Sequence, residues 1–283
     1  VLIRPLRGTH PDNLLKTLQH ACTATENLDT AHHSSADERR RSYIEWANDT
    51  AGQFRGGMSR ADIDRLILTP PFWHIQALPS PLPDEARTTI NTEIATRRAE
   101  LEKLYMEVTR QVAQWSIHSH YVVPDTTMFI QHPDKLEDWD LAGITTDYAQ
   151  RPLHVLIPMV VIDELDRLKE ASKPRTRWRA RYSLAVLDRV LQDPRKPGTL
   201  RPLQFPQSRG SLTVELVFDA PGHVRLPEPD DEIVDQAAMI ESLAGPNVTL
   251  LTYDTGQSTR ARAAGLTCHK LSDPPEGDEP AKK

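Results

Sequence analysis

Two rhythms of apolar and polar residues divide the chain. Up to about residue 117 the apolar positions recur three and four residues apart, the spacing of one helix face. "HPDNLLKTLQHACTATENL" carries Leu14, Leu15, Leu18 and Cys22 at that spacing behind an Asp12 or Asn13 cap. "ERRRSYIEWANDTAGQF" predicts a second helix that stops near Gly52. "SRADIDRLIL" predicts a third, capped by Ser59 and broken by Pro70 and Pro71. After the Pro-rich connector "LPSPLPDEA", a long helix is expected from about Asp84 to Trp115. Its stripe is Ile90, Ile94, Leu101, Leu104, Val108, Val112 and Trp115, interrupted by Arg97 and Arg98.

From Tyr121 the rhythm changes. "YVV", "HVLIP", "LTVELVF", "VTLLTY" and "LTCHKL" read as strands. Between them "VVIDELDRLKE", "RARYSLAVLDRVLQ", "DEIVDQAAMIESLAG" and "STRARAAG" read as helices. Such alternation implies an α/β fold, a parallel sheet with helices on both faces. The expected organisation is an all-helical region over 1–117, an α/β domain over 118–272 and a loose polar tail over 273–283.

Composition narrows the classes. The chain has 283 residues, 38% of them hydrophobic and 26% charged, enough for a sizeable core. No apolar run approaches the roughly 20 residues of a spanning helix, so no membrane role is expected. The first residues carry no signal-peptide pattern, and two cysteines, Cys22 and Cys268, make neither a disulfide framework nor a zinc set. A reduced, cytoplasmic protein is the plain expectation. The net charge of −6 means that any attraction to nucleic acid must come from a local patch.

Ligands of open parallel sheets bind beyond the carboxyl ends of the strands. Asp125 follows "YVV" at that edge, and Asp254 follows "LLTY". Glu164 lies in the helix after "HVLIP", and Asp231 opens the helix "DEIVDQAAMI". Each acid taken singly reads equally well as a helix cap or a solvated side chain. Together they fall at one predicted edge, where crowding raises carboxyl pKa values and favours a cation. Hard oxygen ligands suit Mg²⁺ or Mn²⁺. The chemistry that follows is hydrolysis of a phosphodiester.

The segments "VVPDTTMFI", "IPMVVIDELDRLK", "LPEPDDEIVDQAA" and "LLTYDTGQSTRARAAGL" resemble, in order, the four motifs of the PIN domain, over residues 119–272. The second motif and its basic continuation are similar to the PhoH-associated and RNA-decay type rather than to compact toxins. The resemblance implies a PIN-like parallel sheet flanked by helices and a metal-dependent nuclease acting on RNA. It implies Asp125, Glu164, Asp231 and Asp254 as metal-binding, catalytic acids. Asp231 is preferred to Asp230 because Val234 and Ala238 then fall at the +3 and +7 positions. Thr126, Thr127, Thr252 and Asp235 are expected around them. Thr127 stands where the motif often has Asn, and its hydroxyl can still bond a carboxylate.

A basic stretch follows Glu164. Lys169, Lys173, Arg175, Arg177, Arg179 and Arg181 are set against one acid, Glu170, with Trp178 among them. The cations are expected to hold phosphates of a single-stranded RNA, and Trp178 to stack a base. A solvated surface, or a core role for Trp178, is the alternative. "HSH" at His118–His120 and His32–His33 have too little around them for a metal site, and no Gly-rich phosphate loop is present. "PDTTMF" lacks the second Asp of aspartyl-phosphate phosphatases, Thr127 occupying its place. The reading is therefore an Mg²⁺- or Mn²⁺-dependent endoribonuclease. A catalytically silent RNA-binding scaffold is the alternative, and the long helical region argues against a compact toxin. The partner of that region and the oligomeric state, a homodimer included, stay open.

Overall fold

The computed structural model describes residues 3–116, 120–141, 153–202 and 210–272. They form two compact units. The first is built from the chain before residue 117 together with 219–224 and 239–246, and the second from the remainder. The His118 end of "HSH" and the expected tail over 273–283 lie outside the described residues. No helix among the described residues is long and apolar enough to cross a membrane.

The first unit contains α1 (Pro11–Thr30), α2 (Ala36–Phe54), α3 (Arg60–Leu66), α4 (Pro70–Ala77) and α5 (Glu85–Ser116). The cap of α1 is His10, ahead of the expected Asp12 or Asn13, because Pro11 fits the first turn, where no N–H is needed. The pair Pro70–Pro71 opens α4 for the same reason, and Thr69 accepts from Phe72 N–H as its cap. Ser59 caps α3 as the spacing predicts. The α5 stripe is buried at Ile90, Ile94, Leu101, Leu104, Val108 and Trp115. Arg97, which interrupts it, is buried too. It ion-pairs with Glu93 at 2.9 Å and Glu100 at 2.7 Å and donates to Leu66 O. A buried charge is tolerated when paired and hydrogen-bonded.

The second unit is organised by six strands, β1 (His120–Pro124), β2 (Leu153–Pro158), β3 (Gly198–Arg201), β4 (Leu212–Val217), β5 (Val248–Thr252) and β6 (Thr267–Lys270). Their order is β3-β4-β2-β1-β5-β6. All neighbours are parallel except β3 and β4. The antiparallel edge strand β3 corrects the wholly parallel expectation. Its sequence, GTLR, has no apolar run to announce it. Strands β1, β2 and β5 are buried along their whole length, as central parallel strands must be.

The flanking helices are α6 (Thr126–Gln131), α7 (Met159–Leu168), α8 (Pro174–Val190), α9 (Pro229–Ala244) and α10 (Thr255–Ala263). Helix α9 begins in the second unit, and its residues from Met239 on belong to the first. Pro124 of β1 is level with Leu251 of β5, so the two strands end together. From β1 the chain moves to β2 on one side, and it returns later to β5 on the other. That reversal between β1 and β5 is the place where open sheets form a ligand crevice.

Candidate metal centre

The turn after β1 sets the first acid. Asp125 N–H donates to Leu251 O at 2.9 Å, which ties the turn to β5. The chain then enters α6 with Asp125 as cap, its Oδ1 accepting from Met128 N–H at 3.1 Å. Thr127 donates its hydroxyl to the same oxygen at 2.6 Å, and Thr252 donates to Oδ2 at 2.5 Å. Thr127 Oγ1 also accepts from Tyr253 N–H, so one hydroxyl links the β1 and β5 turns. Thr126 donates to Glu164 Oε2 at 2.5 Å, which brings the α7 acid to this turn.

Asp254 stands in the corresponding place after β5. It caps α10, Oδ1 accepting from Gln257 N–H at 2.7 Å, and its own N–H donates to Thr252 Oγ1. Both aspartates therefore serve as helix caps. On α9, Arg260 of α10 ion-pairs with Asp230 at 3.2 Å and with Asp231 at 2.9 Å. Gly256 makes room for this. A Cβ there would lie 2.9 Å from Arg260 Nη1 and 3.0 Å from Asp254 Oδ1.

Asp125 is 3% exposed. Burial pushes its carboxyl up to about 6, against hydrogen bonds from Thr127, Thr252 and Met128 that pull it down, and the charge of Asp230 pushes it further up. The main cause is thus desolvation rather than the crowding of like charges expected from sequence. Asp230 is itself raised, first by burial, then by Asp254, Asp231 and Glu228, with Arg260 opposing. Asp230, next to the expected Asp231 on α9, acts on Asp125 by its charge. Asp231 is exposed and engaged with Arg260, and Asp235 is half-buried one turn further on. The sequence pattern could not separate the two, since Ile233 and Ala237, three and seven beyond Asp230, are as buried as Val234 and Ala238. No three of Asp125, Glu164, Asp230, Asp231 and Asp254 bring carboxylate oxygens within 4.8 Å of one another, so the turn hydroxyls and Arg260 link them rather than direct contact. By chemistry, donors of this all-oxygen kind fit a hard divalent cation such as Mg²⁺ or Mn²⁺.

The basic stretch divides on α8. Arg179 is 6% exposed and donates to Phe129 O, His132 O and Asp134 O. This corrects its assignment as a phosphate contact: it fastens α8 to the end of α6. Lys173 and Arg175 are exposed at the start of α8. Lys169 pairs with Asp166, Arg181 with Glu170, and Arg177 donates to Ala171 O. Trp178 is 51% exposed, so it is not a core residue. His120 is buried beside Thr249, at 3.0 Å.

The family model described as the PIN domain matches residues 122–272, from β1 through β6. Among solved structures, the chain is similar to a domain of a functionally unknown protein from Methanocaldococcus jannaschii DSM 2661. The identity is 18%, the match covers 58% of this chain and 100% of that one, and the TM-score is 0.36. A search of curated proteins finds no match.

Proposed function

We propose, from the premise that the chain belongs to the PIN domain family, that its second unit is an Mg²⁺- or Mn²⁺-dependent endoribonuclease. The observation that carries this is the turn after β1, where a nearly inaccessible carboxylate is held by three donors and raised to about 6. Ionising an acid buried this way costs stability, a cost that a bound cation offsets.

In this reading Asp125, Glu164, Asp254 and the α9 pair Asp230 and Asp231 hold the ion. Thr127 and Thr252 fix the two oxygens of Asp125, and Thr126 fixes Glu164. A bound divalent cation supplies Lewis acidity to a phosphoryl oxygen and makes an attacking water more acidic. Arg260 pairs with both α9 acids and restrains them. Lys169, Lys173, Arg175, Arg177 and Arg181 border α7 and α8 and meet the phosphates of the strand. These contacts carry no sequence information, so the affinity they supply is general.

Calorimetric titration of Mn²⁺ into the protein, in buffers of different ionisation heat, tests the metal part. Binding requires the carboxylate form, so protons are released. At pH 6 Asp125 alone should release about half a proton, and at pH 8 almost none. Absence of binding heat at millimolar Mn²⁺, together with an unchanged melting temperature, would contradict the proposal.

A further inference from the structure

Trp178 lies on an organised surface of α8. Its ring stacks on Tyr182, one helical turn on, with centroids 5.1 Å apart and planes 17° apart. Lys135 Nζ lies 5.1 Å from the Tyr182 centroid and 5.9 Å from that of Trp178. Tyr182 is fixed in turn, because its hydroxyl donates to Glu137 at 2.8 Å and Arg189 holds the same carboxylate at 2.7 Å. Arg179, beside Trp178 in sequence, binds the backbone at His132 and Asp134, which positions the segment carrying Lys135. Exposure alone would argue little. Trp73 is 52% exposed, but it meets Phe72 edge-on at 77° and has no cation over its ring among the described residues.

We propose that Trp178, Tyr182 and Lys135 form a stacking platform for one unpaired nucleobase of the RNA strand. The inference rests on the reading of the second unit as a ribonuclease. An exposed indole face costs free energy in water, and a flat π-surface covers it best. A nucleobase brings that surface, and its phosphate brings the charge that Lys135, Lys173 and Arg175 complement. Holding the indole rigid beforehand lowers the entropy lost on binding. Helix α6, about 9 Å long at 1.5 Å per residue, follows directly on its cap Asp125, and its far end is fastened to α8. The platform is therefore within a few nucleotides of the acids along one strand.

The test is binding of a short fluorescein-labelled single-stranded RNA to the full chain in EDTA, followed by anisotropy. The same RNA with one base removed at a time serves as the probe of position. Trp178→Ala should weaken binding roughly 5- to 150-fold, the range for loss of one stacked base. Trp178→Phe should keep most of the affinity. One abasic position should weaken the wild type and leave Trp178→Ala unchanged, the non-additivity of a direct contact. A blunt RNA duplex, whose bases are already stacked, should bind both proteins alike. Equal affinity of wild type and Trp178→Ala for single strands, with unchanged melting temperatures, would overturn the platform. So would abasic effects that are the same in both. If that wild type still cleaves RNA in Mn²⁺, only the platform fails; a wild type that neither binds nor cuts RNA overturns the platform and the ribonuclease reading together.

Discussion

Asp125 both caps α6 and is almost fully buried, and the two act on its carboxyl in opposite directions. The donated hydrogen bonds favour the charged form, and burial, followed by the charge of Asp230, disfavours it; the second set wins. With a folded value of about 6 against the ordinary value of 3.8 for an aspartate, the native state holds its proton more tightly than the unfolded chain. Stability from this group is then complete below about pH 4, falls as pH rises to about 6, and is roughly 3 kcal/mol lower above that. Asp125→Asn keeps an effective cap and removes the buried charge. Without metal it should match the wild type at pH 4 and exceed it at pH 8 by up to about 3 kcal/mol, read from urea unfolding in EDTA. A variant less stable than the wild type at pH 8 would show that the charge is compensated. At this scale the sequence located Asp125, Glu164 and Asp254 by their place after strands or in the next helix. Its preference for Asp231 over Asp230 rested on the +3 and +7 apolar positions, which are buried for either residue, and Arg260, which pairs with both, comes from α10, far along the chain.

Among the elements, α8 shows how charge and phase separate. The clustered cations were legible, but their roles depend on which way each points. Arg179 lies four residues before Ser183 and seven and eight before Val186 and Leu187, all buried, so it shares the inward face. Arg179→Ala should cost about 3 kcal/mol, since a charged donor to buried carbonyls is lost, and should leave the salt dependence of RNA binding by folded protein unchanged. Changing Arg175 and Arg177 together to Ala should do the reverse. The salt slope should flatten by on the order of one unit, at roughly 0.7 per phosphate, with little loss of stability. RNA affinity against salt concentration, paired with urea melts, checks both; an unchanged slope in the double variant would make the patch a solvated surface. Three short elements escaped the sequence reading: α4, where Pro70 and Pro71 read as a breaker, and, for lack of length, α6 and β3. In α6, TTMFIQ is too brief to show a helical period, and β3 is a polar edge strand. Its Gly198 would place a Cβ 2.4 Å from Val190 O, a constraint of tertiary contact alone.

For the whole molecule, the change of rhythm near residue 117 marks a boundary of the first unit, but the unit also takes in 219–224 and 239–246. The apolar stripe of α9 looks the same whichever unit buries it, so sequence periodicity could not show this sharing. Within the first unit Met239, Ile240 and Leu243 are buried, and Ser242 donates to Leu6 O at 3.2 Å. A fragment beginning at residue 118 should therefore expose these three side chains and melt well below the full chain. Differential scanning calorimetry of the two decides it, and equal melting temperatures would mean that the α9 end is supported otherwise. The central claim, that the acids at the β1–β5 reversal hold a cation for phosphodiester hydrolysis, is tested most directly on end-labelled single-stranded RNA. The measurement is the cleavage rate of wild type and Asp125→Asn in Mn²⁺ and in EDTA. The account predicts cleavage by the wild type in Mn²⁺, none in EDTA, and a rate at least about 100-fold lower for the variant, the scale of losing one preorganised group. No cleavage by the wild type in Mn²⁺, cleavage that persists in EDTA, or equal rates for the two proteins would contradict it.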